Sequence, residues 1–270
     1  MRAKLMRAKP LKTHPGLAGL VAAAIAASPM ATEAQCRASS PEHQVALFEL
    51  YTSEGCDSCP PADQWLSALR RGADADRTVA LAFHVDYWDR LGWRDRFGSA
   101  AFTGRQREQS TRHRTSFVYT PQVLLQGEDF SWRMPGQPAA AIAEINARAA
   151  RAKIELAASP IEHNATAVDV RLRIPDARDR AHAAIAVALV QDGLASDVKA
   201  GENAGKRLAH DRVVRQWHVD PARFDANGEA AQHVVLALPA DAGALSLVAV
   251  AEDTSSGNVL QAVNLPLCGR

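Results

Sequence analysis

Two cysteines separated by two residues, in Cys56-Asp57-Ser58-Cys59-Pro60, constrain what this chain can build more than any other feature. Such a pair closes a reversible disulfide or supplies half of a metal site. The flanks favour the disulfide. Ahead of it, Val45-Ala-Leu-Phe-Glu-Leu-Tyr51 is an apolar, β-rich run that reads as a buried strand. Behind it, Pro60-Pro61-Ala62-Asp63 opens a helical pattern with Trp65, Leu66 and Leu69 on one face. A helix start leaves backbone N–H groups unpaired and carries partial positive charge, which stabilises a thiolate. This layout assigns Cys56 as an exposed nucleophile and Cys59, about one turn on, as the buried resolving thiol. An inert structural disulfide is the alternative. Glu54, Asp57 and Asp63 lie close to Cys56, and the motif has no basic residue. Carboxylates oppose a thiolate, so the pattern suits a reductant, an isomerase or moderate exchange better than a strong oxidant.

The amino terminus bears on compartment. Residues 1–16 hold Arg2, Lys4, Arg7, Lys9 and Lys12 and no acid. The apolar run Leu17–Ser28 follows, then Thr32-Glu33-Ala34 as a cleavage site before Gln35. This is the order of a secretory signal over 1–34. The apolar run is shorter than the roughly 20 residues a membrane span needs. The expected location is periplasmic or secreted, with no stable membrane insertion after cleavage. Processing leaves 26 of the 31 basic and 29 of the 30 acidic residues, a net charge of −3. That balance gives no reason to expect nucleic acid as a partner.

Export permits disulfides. The two other cysteines, Cys36 and Cys268, lie at the ends of the processed chain. They are expected to form a structural disulfide, worth on the order of 5 kcal/mol in the chain-entropy model. The alternatives are two free thiols, or a lipid on Cys36, which no compact Leu-rich lipobox precedes.

From 45 to 150 the pattern alternates strand and helix. Val45–Tyr51 and Val79–Val85 read as strands, Ala62–Arg71 and 99–112 as helices. Gln122–Gln126 and Phe130–Met134 read as a hairpin, and Pro138–Arg151 as an Ala-rich helix. The order βαβαββα is that of thioredoxin. From 152 onward there are seven candidate strands separated by turns, beginning Lys153–Ala157, Ala167–Ile174, Ala184–Gln191 and Arg212–Val219, and ending His233–Leu238, Ala244–Ala251 and Val259–Leu265. The expected fold is therefore an α/β thioredoxin-like domain, residues 35–151, followed by an all-β immunoglobulin-like sandwich, residues 152–270.

Four segments carry a family resemblance. They are Phe48-Glu-Leu-Tyr-Thr-Ser-Glu-Gly-Cys-Asp-Ser-Cys-Pro-Pro-Ala-Asp63, Ala82-Phe-His-Val-Asp-Tyr-Trp-Asp89, Leu91-Gly-Trp93 and Tyr119-Thr-Pro-Gln122. Over roughly 44–265 the chain resembles a secreted bacterial thioredoxin-like family, the domain-of-unknown-function family numbered 1223. The resemblance implies a thioredoxin-like fold with a C-terminal β domain and supplies no substrate. In thioredoxin-like folds a Thr-Pro opens a strand beside the cysteine pair with the proline cis. Thr120 and Pro121 are accordingly expected to bind substrate backbone, with Pro121 cis. Strand ends on this side of an α/β sheet face the ligand crevice. Trp88 and Asp86 are therefore candidate substrate contacts, with His84, Tyr87 and Trp93 nearby. Packing of Trp88 and Trp93 under a loop, and a hydrogen-bonded strand role for His84, are the alternatives.

The leading functional expectation is an exported thiol–disulfide oxidoreductase acting on exported proteins with disulfides or thiols, served by a redox partner protein and needing no organic cofactor. A copper chaperone is the second, with the two thiolates and His84 or His113 as ligands, although the chain has only four Met and no His-rich tract. A binding module with structural cysteines is the third. Its likeliest contact run is the polar, glycine-rich Val198–Val214, which also reads as a long hairpin loop. There is no Gly-x-Ser-x-Gly elbow, phosphate loop, His-Glu-x-x-His or Gly-x-Gly-x-x-Gly. The acids Asp192, Asp197 and Glu202 do not fit a calcium-loop spacing, and no other metal site is expected.

Overall fold

A computed structural model of the chain describes residues 36–268 except 73, 75, 76, 116 and 242. The expected signal segment, 1–34, lies outside the described residues. The first half contains β1 (Cys36–Ser39), β2 (Ala46–Thr52), α1 (Pro60–Arg71), β3 (Thr78–His84), α2 (Ala100–Arg112), β4 (Gln122–Leu125), β5 (Glu128–Asp129) and α3 (Gln137–Asn146). The second half contains β6 (Lys153–Ala158), β7 (Ala165–Arg173), a short α4 (Ala177–Arg180), β8 (Ala183–Gln191), β9 (Leu194–Asp197) and β10 (Arg207–His210). It ends with β11 (Val213–Pro221), β12 (Glu229–Ala237), β13 (Leu245–Asp253) and β14 (Val259–Pro266).

These elements do not divide into a thioredoxin-like α/β domain and a separate immunoglobulin-like sandwich. The molecule is mostly β, and no unit boundary falls near residue 151. Its largest sheet has eight strands in the order β14-β13-β8-β11-β3-β2-β4-β5, so both halves share it. The seam is β3 against β11. They run parallel and meet at Val213 and Ala82, where Ala82 N donates to Arg212 O at 2.8 Å. Arg212 Nε reaches back to Ala80 O at 2.9 Å. Alone, the first half would leave this edge of β3 without a strand partner, and β11 meets it at Ala82. The exchange is mutual. β1, from the start of the chain, pairs antiparallel with β6 and completes a second sheet, β1-β6-β7-β12.

Burial follows strand periodicity. Every residue of β8 is buried, as expected for a strand covered on both faces. Ile185, Val187 and Leu189 face the second sheet, with Ile154, Leu156, Val170 and Leu172. Ala186, Ala188 and Val190 face the opposite way, into a core shared with Leu47, Tyr51, Leu81, Phe83 and Phe102. On the remaining face of β2 and β3, Phe48, Leu50 and Ala82 pack on Ala62 and Leu66 of α1 and Ile142 and Ile145 of α3. The second strand of the expected hairpin is shorter than its sequence suggests. Only Glu128–Asp129 pairs with β4, while Phe130 and Trp132 turn their rings onto the α1 core.

A buried polar knot pins these layers. Arg105 of α2 donates to Glu49 of β2 at 2.7 and 3.1 Å and to Glu252 of β13 at 2.9 Å. Tyr51 donates its hydroxyl to Glu49 at 2.8 Å. The guanidinium carbon lies 4.3 Å from the ring centre of Trp217 on β11. One side chain thus ties a helix to strands from both halves.

Candidate functional site

Cys56 and Cys59 are joined as a disulfide at the start of α1. Cys59 is the cap residue itself, and Pro60 and Pro61 occupy the first helical positions. The N–H groups of Ala62 and Asp63 both point at Cys59 O, at 2.8 and 3.2 Å. Cys56 lies one turn earlier, outside the helix, with its N–H bonded to Ser53 O. The expectation that Cys56 is exposed is corrected here. Both cysteines are 0% exposed, while Asp57 and Ser58 between them face solvent.

The second half of the chain packs on this loop. The tip of the β9–β10 hairpin, 198–206, lies over the cysteine loop. Asn203, itself fully buried, donates from Nδ2 to Glu54 O and Cys56 O, both at 2.8 Å. Its Oδ1 accepts from Lys206 Nζ. Glu202 accepts from Asp57 N at 3.0 Å. Gly201, at φ +73°, packs so closely on Trp93 that a Cβ there would lie 3.3 Å from Trp93 Cβ. These contacts lie inside the run 198–214, whose hairpin reading therefore holds. Nothing local in it reveals what the hairpin rests upon.

The Thr120–Pro121 bond is cis. Trp88 connects it to the cysteine loop. Its indole donates to Thr120 Oγ1 at 2.8 Å, and its Cβ lies so near Gly55 that any side chain at 55 would sit 3.0 Å away. Gln106, fully buried on α2, holds the same loop by donating to Tyr119 O and Gln122 Oε1, both at 2.8 Å. Phe117 and Tyr119 are exposed nearby with their ring centres 6.1 Å apart. Asp86, a candidate substrate contact, is half-buried and accepts a 2.6 Å hydrogen bond from Thr103 Oγ1, which ties it to α2.

Glu54, Asp63, His84, Asp95 and His210 form a second buried polar group beside the cysteine loop. His84 Nδ1 and Asp95 Oδ2 are 2.7 Å apart. Asp95 also accepts from Glu54 N and Phe97 N, both at 2.9 Å. Burial pushes the Asp95 carboxyl up, but His84 and these amides outweigh it and hold it at about 2. Burial pulls His84 down, and Asp95, with Asp63 and Glu54, more than reverses this and leaves it raised. Asp63 is raised by burial against the pull of His210, His84 and Thr52. Burial likewise opposes ionisation of Glu54, yet His210, Ser196 and Trp93 leave it lowered; its Oε2 accepts from Trp93 Nε1 at 2.8 Å. His210 Nε2 stands 3.3 Å from Glu54 Oε1 without hydrogen-bond alignment. The rings of His84 and His210 meet edge to face at 4.9 Å.

Asp95 carries no local sequence signal and escaped the sequence reading, while Asn203 and His210 entered it only as members of the run 198–214. Asp63 and Glu54 entered it only as nearby charges. Neither faces water, so the local field at the cysteines is not that of three solvated carboxylates. Of the two histidines weighed as copper ligands, His84 is committed to Asp95. His113 lies at the end of α2 against Gly127 and Gly257. Among the described residues no group of three or more His, Cys, Asp or Glu is arranged to hold a metal ion. Cys36 and Cys268 are joined to each other. No helix among the described residues is long and apolar enough to cross a membrane.

A sheet built from both halves of the chain, with a buried disulfide at one helix start, defines a mostly β architecture. Residues 47–251 match the family model described as "Protein of unknown function (DUF1223)", and the chain belongs to that family. Among solved structures it is similar to protein AGR_C_4864 from Agrobacterium tumefaciens, with 22% identity and a TM-score of 0.56 over 84% of this chain and 96% of that one. It is also similar to HBP35 of Porphyromonas gingivalis, with 12% identity and a TM-score of 0.64 over 83% of this chain and 76% of that one. At these identities the likeness is one of fold. No curated protein matches the sequence.

Proposed function

We propose that this protein is an exported thiol–disulfide oxidoreductase whose redox centre is Cys56–Cys59. The observation that carries the reading is the cysteine pair at the start of α1, with Thr120 tied to its loop through Trp88. In the reduced protein the Cys56 thiolate attacks one sulfur of a substrate disulfide, and the other substrate sulfur leaves as a thiolate. Cys59 then attacks Cys56 in the mixed disulfide and expels the second substrate sulfur. The two protons of the protein dithiol end on the substrate dithiol, and the protein is left as the disulfide. A redox partner restores the dithiol. Thr120 and Pro121 offer the backbone edge for a peptide, flanked by Trp88 and the exposed rings of Phe117 and Tyr119. The signal-like segment 1–34 supports export and substrates among exported proteins.

Reduction of insulin by dithiothreitol, followed as turbidity, tests the proposal. The wild-type chain accelerates it, and Cys56→Ser returns the rate to the uncatalysed level. An unchanged rate in Cys56→Ser overturns the reading. The complete burial of both sulfurs favours a second reading, a structural staple. The midpoint potential separates the two. A value above roughly −270 mV fits exchange, and one below about −300 mV fits a staple.

A further inference from the structure

We propose that the tip of the β9–β10 hairpin is a displaceable cover on the cysteine pair, latched by Asn203, and that a disulfide-bearing peptide reaches Cys56 only when the tip lifts. This regulation rests on the redox reading of the same site. It starts from a mismatch: the arrangement for exchange is present, yet neither sulfur is accessible.

The hairpin is built as a fixed base with a separately held tip. At the base, Asp192 pairs with Arg70 of α1 at 2.9 Å and accepts from Arg212 N at 2.7 Å. Asp211 pairs with Arg71 of α1 at 2.8 Å and accepts from Gly193 N at 2.9 Å. The tip closes on itself, with Val198 N bonded to Lys206 O and Gly205 N to Val198 O, both at 2.9 Å. It therefore keeps its shape without the cysteine loop. Its hold on that loop is polar and local, through the two bonds from Asn203 Nδ2 and the one to Glu202 Oε2. Glu202 is exposed, as are 204 and 205 beside it. Lifting the tip exchanges these three hydrogen bonds for water, separates Gly201 from Trp93 and uncovers the cysteine loop. A segment held by few contacts on a firmly anchored base is the kind that opens locally well below the cost of unfolding.

The test is the alkylation rate of the reduced full-length protein by iodoacetamide, read by mass spectrometry at Cys56, for wild type, Asn203→Ala and Glu202→Ala. A urea-unfolded sample supplies the rate of a free thiol. The expected result is wild-type protection of at least about 100-fold, as for a site reached by local opening. Asn203→Ala then reacts roughly ten-fold or more faster than wild type and Glu202→Ala a few-fold faster, in line with the lost hydrogen bonds. Glu202→Ala decides the matter if Asn203→Ala does not fold, since residue 202 faces solvent. Wild-type alkylation at the unfolded rate overturns the cover, and so does an unchanged rate in the folded variants. Insulin reduction is read on the same samples. If alkylation follows the hairpin while no sample reduces insulin, the cover stands and the oxidoreductase reading falls.

Discussion

Among the described residues, two of the buried charged groups are built to opposite specifications. In the knot of Glu49, Tyr51, Arg105 and Glu252, no buried side-chain atom lacks a hydrogen-bond partner. In the group beside the cysteines, His84 Nε2 and His210 Nδ1 have none. A satisfied network holds its members in one arrangement, whereas an unpartnered buried polar atom costs about 1–3 kcal/mol. The first group sits where two halves of the chain must be joined. The second sits where we place the chemistry. The contrast teaches that burial of charge alone does not distinguish the two groups; they differ in how completely their polar atoms are satisfied.

The largest expected effect is in the knot. Arg105→Met leaves Glu49 and Glu252 buried without their shared cation, and should cost about 3–5 kcal/mol in urea unfolding. A loss under 1 kcal/mol would put the knot in the same category as the looser group and break the contrast.

The second effect is a pH dependence from the His84–Asp95 pair. The Asp95 carboxyl is held at about 2 in the folded chain, against an unfolded value near 3.9. Its contribution is complete above the unfolded value and is lost as pH falls through about 2. Because His84 is raised, its contribution is complete below the unfolded value near 6.5 and is lost as pH rises through the folded one. The pair therefore stabilises most between about pH 4.5 and 6. The Asp95 part amounts to ~2 kcal/mol and disappears in Asp95→Asn. Urea midpoints for the two proteins from pH 2 to 8 check this, and parallel curves would remove the pair from the account.

The smallest effect sharpens the site itself. Trp88→Phe keeps the Cβ beside Gly55 and removes the hydrogen bond to Thr120, an expected loss of ~1 kcal/mol. If the Thr120–Pro121 edge binds peptide, the change should raise KM for an extended disulfide substrate by several-fold with a smaller change in kcat. An unaltered KM would confine Trp88 to packing.

The single elements were legible because their signals are local. The alternation of β7 and the helical stripe of α1, with its two prolines at the start, can be read a few residues at a time. The dithiol motif and the Thr-Pro are equally local. The boundaries of β2, β3, β8, β13 and β14 fall within a residue or two of the sequence reading. The partners of the strands were not legible. β3 is an apolar run, and nothing in it distinguishes solvent, a helix or β11 as its neighbour. The two-domain expectation failed at that point. So did the exposure assigned to Cys56, because its cover lies 147 positions away at Asn203.

By itself, the sequence determined most of the strands and helices, though not β1, β9 or β10, and that a cysteine pair stands at a helix start, since periodicity, capping and proline geometry act over a few residues. Only the tertiary structure decided that β11 closes the edge of β3, that Arg105 binds carboxylates from both halves, and that Asn203 lies over Cys56. Those choices depend on burial and hydrogen-bond satisfaction between positions far apart in the chain, which no local pattern of residues encodes.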